Sequence, residues 1–162
     1  KYRLVGSEMC IRDSLQACNG RAVAVASHST CVAGLLEMDL RPASPLWEHT
    51  PSVISPLPAE AISVAEPMWF DGHGGERTHA WYYPPMDGST GAAPLLVKSH
   101  SGPTAMARRG LQLGIQYWTS RGWGVVDVNY GGSTGFGREY RERLNAGWGW
   151  WMWPTAQPRL RH

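Results

Sequence analysis

Two short glycine-containing segments of the chain hold residues that could take part in acyl transfer. They are "SHSGPTA", Ser99 to Ala105, and "NYGGSTGFG", Asn129 to Gly137. Within the second segment "GGSTG" fits G-x-S-x-G, the pattern in which many serine hydrolases carry their nucleophile. A nucleophilic serine needs a histidine as general base and hydrogen-bond donors for the oxyanion. The spacing of the neighbouring residues decides which of these roles each segment could fill.

Ser133 fits the nucleophile position poorly. In a nucleophile elbow the helix begins directly after the serine, whereas Thr134 to Gly137 separate Ser133 from Arg138, the first good helix former. The chain order Ser, Asp, His also cannot be completed, because the one histidine after Ser133 in this sequence is His162, which lies in the atypical tail. A phosphate-binding loop is excluded as well, since neither G-x-x-x-x-G-K-[ST] nor G-x-G-x-x-G occurs. We therefore predict that Ser133 is not a nucleophile.

The pattern around the two segments predicts a βαβ unit. The apolar run Ala93 to His100 is typical of a strand buried on both faces, and Trp123 to Asn129 predicts a second buried strand. Met106 to Arg121 between them predicts a helix that Gly122 ends, and another helix begins near Arg138. This order implies an α/β fold with a parallel sheet, in which the ends of both strands lie on the same rim.

The part of the chain before this unit reads as strands and a linker. Gly20 to Leu40 predicts a hairpin, and the proline-rich Arg41 to Ser63 predicts a connecting segment. Two short aromatic strands, "EPMWF" and "HAWYYPP", flank the turn "DGHGGERT".

Both ends of the chain differ in character from the rest. The codons of "EMCIRDS" resemble a transposase-end adapter used in preparing sequencing libraries, so residues 1–14 are interpreted as adapter-derived. "WWMW" near the other end is "VVDV" read one base later, so residues 150–162 are interpreted as a frameshifted tail. An aromatic membrane anchor is the alternative for this tail, but no apolar helix accompanies it.

Composition excludes several classes of partner. The net charge is +2 and charged residues make up 17% of the chain, which argues against a nucleic-acid partner. No apolar run reaches the ~18 residues of a membrane span. The three cysteines form no C-x-x-C pair and no metal-ligand spacing, so we expect no cofactor or metal. Reduced thiols and the lack of a recognisable signal peptide favour the cytoplasm. The oligomeric state stays open.

"LLVKSHSGPTA", followed by "GIQYWTSRGWGVVDVNYGGSTGFGREYRERLN" and "WG", resembles the start of the catalytic domain in the prolyl oligopeptidase family of serine peptidases. The similarity is to the bacterial acylaminoacyl-peptidase and dipeptidyl-peptidase branches. It implies the beginning of an α/β-hydrolase domain at residues 66–149, preceded at residues 15–65 by the last strands of a β-propeller and a linker. It implies peptide substrates, and a Ser-Asp-His triad that lies downstream of Gly149. This chain by itself is then expected to be inactive.

The resemblance also implies roles for the two segments. His100, Ser101, Gly102 and Pro103 match the family's oxyanion loop, with Ser101 in place of the commoner glycine. The oxyanion donor could be the His100 imidazole or a backbone N–H of Ser101 or Gly102. The residues that match the family's pocket-rim loop are Asn129, Tyr130, Gly131, Gly132 and Ser133. Many members have arginine where Gly131 stands, so a role for that side chain in binding a substrate carboxylate does not carry over.

Two other functions compete with a peptidase. An esterase or lipase would use the same hydrolase fold, but an upstream propeller disfavours it, because the propeller restricts the peptidase family to small peptides. A module that binds sugar or single-stranded nucleic acid through the tryptophan-rich tail would need a positive groove. The charge distribution does not provide one.

Overall fold

The computed structural model describes residues 10–11, 14–43, 45–55, 57–86, 92–102 and 105–145. The predictions made for residues 1–9, 12–13 and 150–162 and for Pro103 therefore lie outside the described residues. The described residues form a mixed α/β structure with strands in two sheets and few helices.

The chain divides into two compact units. One contains residues 1–62 and 108–113, and the other contains residues 63–107 and 114–162. The strands of the first unit are β1 Cys10–Ile11, β2 Gln16–Cys18, β3 Arg21–Ser27, β4 Gly34–Asp39 and β5 Leu46–Pro51. The second unit has strands β6 Glu66–Asp71, β7 Arg77–Tyr83, β8 Leu95–Ser99 and β9 Gly124–Asn129, with helices α1 Leu113–Thr119 and α2 Arg138–Glu142. Single 3₁₀ turns occur at Ala59–Ala61 and His73–Gly75.

The first unit is an antiparallel sheet in the order β1-β3-β4-β5, with β2 also paired to β3. The predicted hairpin is confirmed: β3 and β4 pair with Val25 opposite Leu35. Side chains on one face alternate inward and form a small cluster of Ala22, Ala26, Leu36 and Met38, as expected for a sheet with one buried face.

One prediction for this unit is wrong. Arg41 to Ser63 was expected to be a connecting segment without regular structure, but Leu46–Pro51 forms β5 against β4. Among the described strands β5 lies at the edge of the sheet, and its residues are exposed or half-buried. An edge strand needs no buried apolar alternation, and it tolerates proline at its end. The segment therefore lacks the pattern by which strands are normally recognised.

The second unit is a four-stranded mixed sheet in the order β6-β7-β9-β8. The aromatic strands β6 and β7 pair antiparallel, β7 pairs antiparallel with β9, and β8 lies parallel to β9. The predicted βαβ unit is thereby confirmed. All six residues of β9 are buried, and side chains from its two faces enter two separate apolar clusters.

Helix α1 is shorter than the sequence suggests. A helix was predicted over 106–121, but α1 spans only Leu113–Thr119. Backbone groups of Ala107 are instead bound by side chains: its N–H donates to Asn129 Oδ1 at 2.7 Å and its carbonyl accepts from Trp81 Nε1 at 3.1 Å. In a helix from Met106 the Ala107 carbonyl would accept from the N–H of Leu111, which donates instead to the carbonyl of His28 at 2.9 Å. The predicted end is confirmed, since Gly122 has φ 81° and closes the last turn.

Strand β8 differs from prediction in its burial. It was expected to be buried on both faces, yet Leu95 and Leu96 are half-buried and Val97 to Ser99 are exposed. Among the described residues β8 pairs only with β9 and is an edge of the sheet. The apolar composition of β8 is typical of an interior strand, whereas β8 lies at the edge of the sheet formed by the described residues.

Candidate functional site

Two loops meet at one rim of the second sheet. The first, called here the His100 loop, is His100–Gly102 and directly follows β8. The second, the rim loop, is Asn129–Gly137, which begins at the end of β9 and leads into α2. Because β8 and β9 are parallel neighbours, their carboxyl ends lie side by side. The structure therefore brings the sequence-predicted residues of both loops together.

His100 and Ser133 are joined directly. The imidazole Nε2 of His100 lies 2.7 Å from Ser133 Oγ, and Ser133 Oγ lies 2.7 Å from the carbonyl oxygen of Tyr130. A carbonyl can only accept, so the single hydroxyl proton of Ser133 goes to Tyr130. Nε2 must then carry a hydrogen and donate it to Ser133. The hydrogen-bond network thus assigns the Nε2–H tautomer to the neutral ring.

This arrangement shows what Ser133 does in the motif "GGSTG". Ser133 has no exposed surface, and its hydroxyl is already committed as a donor and as an acceptor. Its N–H also donates to the Tyr130 carbonyl, at 3.0 Å. An attacking nucleophile must be accessible and hydrogen-bonded to a base that accepts its proton. In "GGSTG", Ser133 instead has the geometry of a serine that fixes a loop.

Tyr130 links the same two loops from below. Its hydroxyl donates to the carbonyl of Gly102 at 2.5 Å and lies 3.2 Å from that of His100. Its ring stacks on the His100 imidazole with centroids 4.4 Å apart and planes inclined by 23°. Tyr130 is fully buried, and burial raises the pKa of its phenol. A neutral hydroxyl therefore holds the His100 loop.

Electrostatics keep His100 neutral near pH 7. Burial is the largest influence and lowers the pKa of the imidazole below its usual value. The carbonyl of Ser101, 3.4 Å from Nδ1, and the carboxylate of Asp127 act in the opposite direction. In the neutral Nε2–H tautomer, Nδ1 carries a lone pair and no hydrogen.

Asn129, at the start of the rim loop, is fully buried and acts as a bracket. Its Oδ1 accepts from the N–H of Ala107, and its Nδ2 lies 3.1 Å from Nδ1 of His79. Its carbonyl accepts from the hydroxyl of Tyr140, which in turn accepts from the N–H of His79. Asn129 therefore ties the rim to β7, to α2 and to the segment after the His100 loop.

Sequence reasoning missed several of these positioning residues. His79 and Tyr140 lie outside both motifs, and no pattern in β7 or α2 marks their buried hydrogen bonds. Aromatic side chains surround them: the rings of Trp69, Phe136 and Tyr140 lie within 6.3 Å of one another by centroid. The only available signal was the density of aromatic residues in β6 and β7.

A charged pair lies beneath the His100 loop. Lys98 Nζ is 2.6 Å from Asp127 Oδ2, across the parallel pairing of β8 and β9. Asp127 is fully buried, and within the described part of the chain its Oδ1 has no hydrogen-bond partner. Lys98 keeps 42% of its side chain exposed.

Gly131 leaves room for an arginine from elsewhere. A Cβ at Gly131 would lie 3.3 Å from both Cβ and Cδ of Arg143. The guanidinium of Arg143 is engaged with the Glu76 carboxylate at 3.3 Å and the Arg77 carbonyl at 2.8 Å. On α2 itself, Arg138, Glu139 and Arg141 are exposed.

Within the described ranges, no three His, Cys, Asp or Glu side chains are placed so that they could hold a metal ion. None of the helices in the described part of the chain has the length and apolar character needed to cross a membrane.

Known proteins with similar sequences and structures are enzymes. No family model matches the chain. A solved puromycin hydrolase superposes with a TM-score of 0.82 at 32% identity, over 94% of this chain and 24% of that one. A Mycobacterium tuberculosis puromycin-hydrolyzing peptidase gives a TM-score of 0.73 at 33% identity, over 80% of this chain and 21% of its own. Dipeptidyl aminopeptidase BIII of Pseudoxanthomonas mexicana is 41% identical over 63 residues, which are 38% of this chain and 9% of that protein.

These relatives are peptidases, and the fold of the chain matches theirs. The chain spans about a quarter of the length of the solved structures and less of the curated relative. The resemblance drawn from the sequence is confirmed: the chain belongs to the prolyl oligopeptidase family.

Proposed function

We propose that this chain is part of a serine peptidase that hydrolyses peptide bonds through an acyl-enzyme, and that it supplies the oxyanion side of the active site. The observation that carries the proposal is the junction of the two loops, with His100 Nε2 2.7 Å from Ser133 Oγ and Tyr130 Oη 2.5 Å from the Gly102 carbonyl. The similarity to peptidases supports the choice of substrate class.

The domain assignment follows from the same resemblance. Residues 66–149 would begin an α/β-hydrolase domain, and residues 15–65 would contain the last strands of a β-propeller and the linker. The parallel pairing of β8 and β9, with α1 between them, supports the first assignment. The antiparallel sheet of β1 to β5 supports the second. The free thiols of Cys18 and Cys31 support a reducing compartment such as the cytoplasm.

The proposed chemistry gives each loop a separate part. Attack on a peptide carbonyl places negative charge on its oxygen, and each preorganised donor there is worth about 3–4 kcal/mol. His100 Nε2–H is already bound to Ser133, so the donors assigned here are the backbone N–H groups of Ser101 and Gly102. The rim loop would hold the His100 loop in place and line the pocket. The nucleophile, the acid and the base would come from sequence beyond Gly149.

The test uses the protein encoded by the complete reading frame of the source DNA, called here the complete protein. It is expected to release chromophore from dipeptidyl and aminoacyl p-nitroanilides, while the 162-residue chain alone shows no turnover. The DNA should also restore "VVDV" after Gly149 and encode a G-x-S-x-G-G elbow. A complete protein that cleaves only p-nitrophenyl esters, or neither type of substrate, would overturn the peptidase assignment.

A further inference from the structure

We propose that Ser133 is a positioning residue for catalysis, and that it acts on the His100 loop through the His100 imidazole. The proposal rests on the function proposed above, in which His100, Ser101 and Gly102 form the oxyanion loop. It assigns to the serine of "GGSTG" a role in setting the geometry of the oxyanion donors, rather than the role of nucleophile that its motif suggests.

The direction of the hydrogen bonds carries the first step. The Ser133 hydroxyl must donate its hydrogen to the Tyr130 carbonyl, so a lone pair of its oxygen accepts from His100 Nε2–H. The N–H of Ser133 also donates to the Tyr130 carbonyl, at 3.0 Å, so the backbone of Ser133 is held in place together with its hydroxyl. Ser133 therefore offers the imidazole an acceptor at a defined position.

This acceptor fixes the orientation of the His100 imidazole. The face of the imidazole stacks on Tyr130, which limits its tilt, but stacking alone still allows a 180° flip of the ring about the Cβ–Cγ bond and an exchange of tautomers. The bond from Nε2 to Ser133 removes both freedoms. The ring belongs to the first residue of the loop, so its orientation fixes where the loop leaves β8.

The third step connects the ring to the donors. The N–H groups of Ser101 and Gly102 follow His100 directly, and Gly102 has φ 75°, a left-handed conformation. Tyr130 Oη holds the Gly102 carbonyl at 2.5 Å. Tyr130 thus holds the loop at its third residue and contacts the carbonyl and the ring face of His100, while Ser133 supplies the acceptor that sets the direction of the imidazole. Loss of the bond to Ser133 would leave the imidazole free to turn, and the peptide between His100 and Gly102 could then move away from the oxyanion position.

Ser133→Ala in the complete protein is the direct test. Without an acceptor for Nε2–H, the donors lose their preorganisation, and kcat for a dipeptidyl p-nitroanilide is expected to fall about 10–100-fold, by analogy with weakened oxyanion donors. KM should change less than about twofold, because the substrate pocket is not rebuilt. A kcat within about twofold of wild type would overturn the inference.

Ser63→Ala is the matched control. Ser63 is equally buried, and its hydroxyl donates to the carbonyl of Pro84 at 2.6 Å, away from both loops. It loses the same kind of hydrogen bond with no histidine attached, so its kcat should stay at the wild-type value. An equal fall of kcat in both variants would mean that general loosening of the fold, not the bond to His100, lowers the rate.

A double-mutant cycle separates action through His100 from other effects. In a His100→Ala background, Ser133→Ala should reduce kcat by less than about twofold, because the group it positions has gone. The same factor in both backgrounds would overturn the inference.

The wild-type protein provides a test that does not depend on a variant that folds. With ¹⁵N-labelled histidine, the nitrogen shifts of His100 above its pKa should show a protonated Nε2 and a bare Nδ1. The opposite tautomer would overturn the inference. Wild-type protein without any turnover would overturn the proposed function itself and this inference with it, whereas an active protein that tolerates Ser133→Ala would overturn only the inference.

Discussion

Nδ2 of Asn129 lies 3.1 Å from Nδ1 of His79, and both side chains are almost completely buried. The amide nitrogen is the donor, so Nδ1 accepts and the imidazole is neutral. Burial lowers the pKa of His79 to about 4. The rim loop therefore depends on a histidine that must stay uncharged, which makes its stability sensitive to acid.

We expect the pKa of His79 to produce a loss of stability between pH 6.5 and pH 4. Above pH 6.5 His79 is neutral in both the folded and the unfolded state. As the pH falls, the unfolded state binds a proton first, because its pKa is ordinary and the folded pKa is about 4. Between pH 7 and pH 5 this group alone should lower the free energy of unfolding by about 2 kcal/mol. Well below pH 4, where both states are protonated, its contribution is constant.

His79→Gln isolates that contribution in urea titrations of the complete protein. Glutamine does not titrate, and its carbonyl can still accept from Asn129. The difference in unfolding free energy between wild type and His79→Gln should therefore move by about 2 kcal/mol in favour of the variant between pH 7 and pH 5. Parallel pH profiles for the two proteins would show that His79 is not the acid-sensitive group.

Asn129→Ala should release the segment that follows the His100 loop. It removes the acceptor of the Ala107 N–H, and a buried hydrogen bond of this kind is worth about 1–3 kcal/mol once a partner is left unsatisfied. Hydrogen exchange should therefore speed up at the Ala107 amide. Gln116→Ala is the paired control, because Gln116 Oε1 accepts from the N–H of Ser63 at 2.8 Å. That variant should speed up exchange at the Ser63 amide and leave the Ala107 amide protected. The reverse pattern, or faster exchange at both amides in each variant, would show that Asn129 and Gln116 do not each stabilise their own backbone segment.

Two glycines at the rim should differ in their tolerance of alanine. Gly132 has φ 109°, and a Cβ there would collide with the side chain of Leu144, a core residue. Gly102 has φ 75°, and a Cβ there would have no atom of the described residues within 4 Å. Gly132→Ala should thus lower the free energy of unfolding by about 3–4 kcal/mol, from backbone strain plus overpacking. Gly102→Ala should lower it by about 1–2 kcal/mol, from strain alone. Equal losses in urea denaturation would contradict this packing.

Lys98→Met should be more harmful than the double substitution with Asp127→Asn. Lys98 Nζ pairs at 2.6 Å with a carboxylate that is fully buried. Removing the lysine leaves an uncompensated buried charge, and the expected cost is about 2–3 kcal/mol, below the usual value for buried pairs because Lys98 is half-exposed. Asn at position 127 carries no charge and should recover part of that loss. Thermal melts of the single and double variants give the comparison, and additive effects would mean that the pair is not coupled.

The sequence predicts the elements that carry strong local signals. The hairpin of β3 and β4, the aromatic strands β6 and β7 and the buried strand β9 all follow from alternation or from unbroken apolar runs. The meeting of the two loops follows from the rule that parallel strands end at one rim. It requires no knowledge of side-chain positions.

What the sequence does not predict depends on long-range contacts. Before α1, the Ala107 carbonyl accepts from Trp81 and the Leu111 N–H donates to His28, in place of the helical bond between them. Helix propensity does not report such competition. The bond from His100 to Ser133 joins residues 33 positions apart. The motif "GGSTG" suggests a nucleophile, and only the neighbouring carbonyl of Tyr130 shows where the hydroxyl proton goes.

Labelling with a fluorophosphonate tests directly whether the nucleophile is Ser133 or a serine beyond Gly149. The complete protein would be treated with the reagent, digested, and the modified peptide located by mass spectrometry. We expect one modified serine, in a G-x-S-x-G-G sequence downstream of Gly149, and an unmodified Ser133, because Ser133 is buried and donates to Tyr130. Modification of Ser133, or a complete protein that is not labelled at all, would contradict the proposed serine-peptidase function.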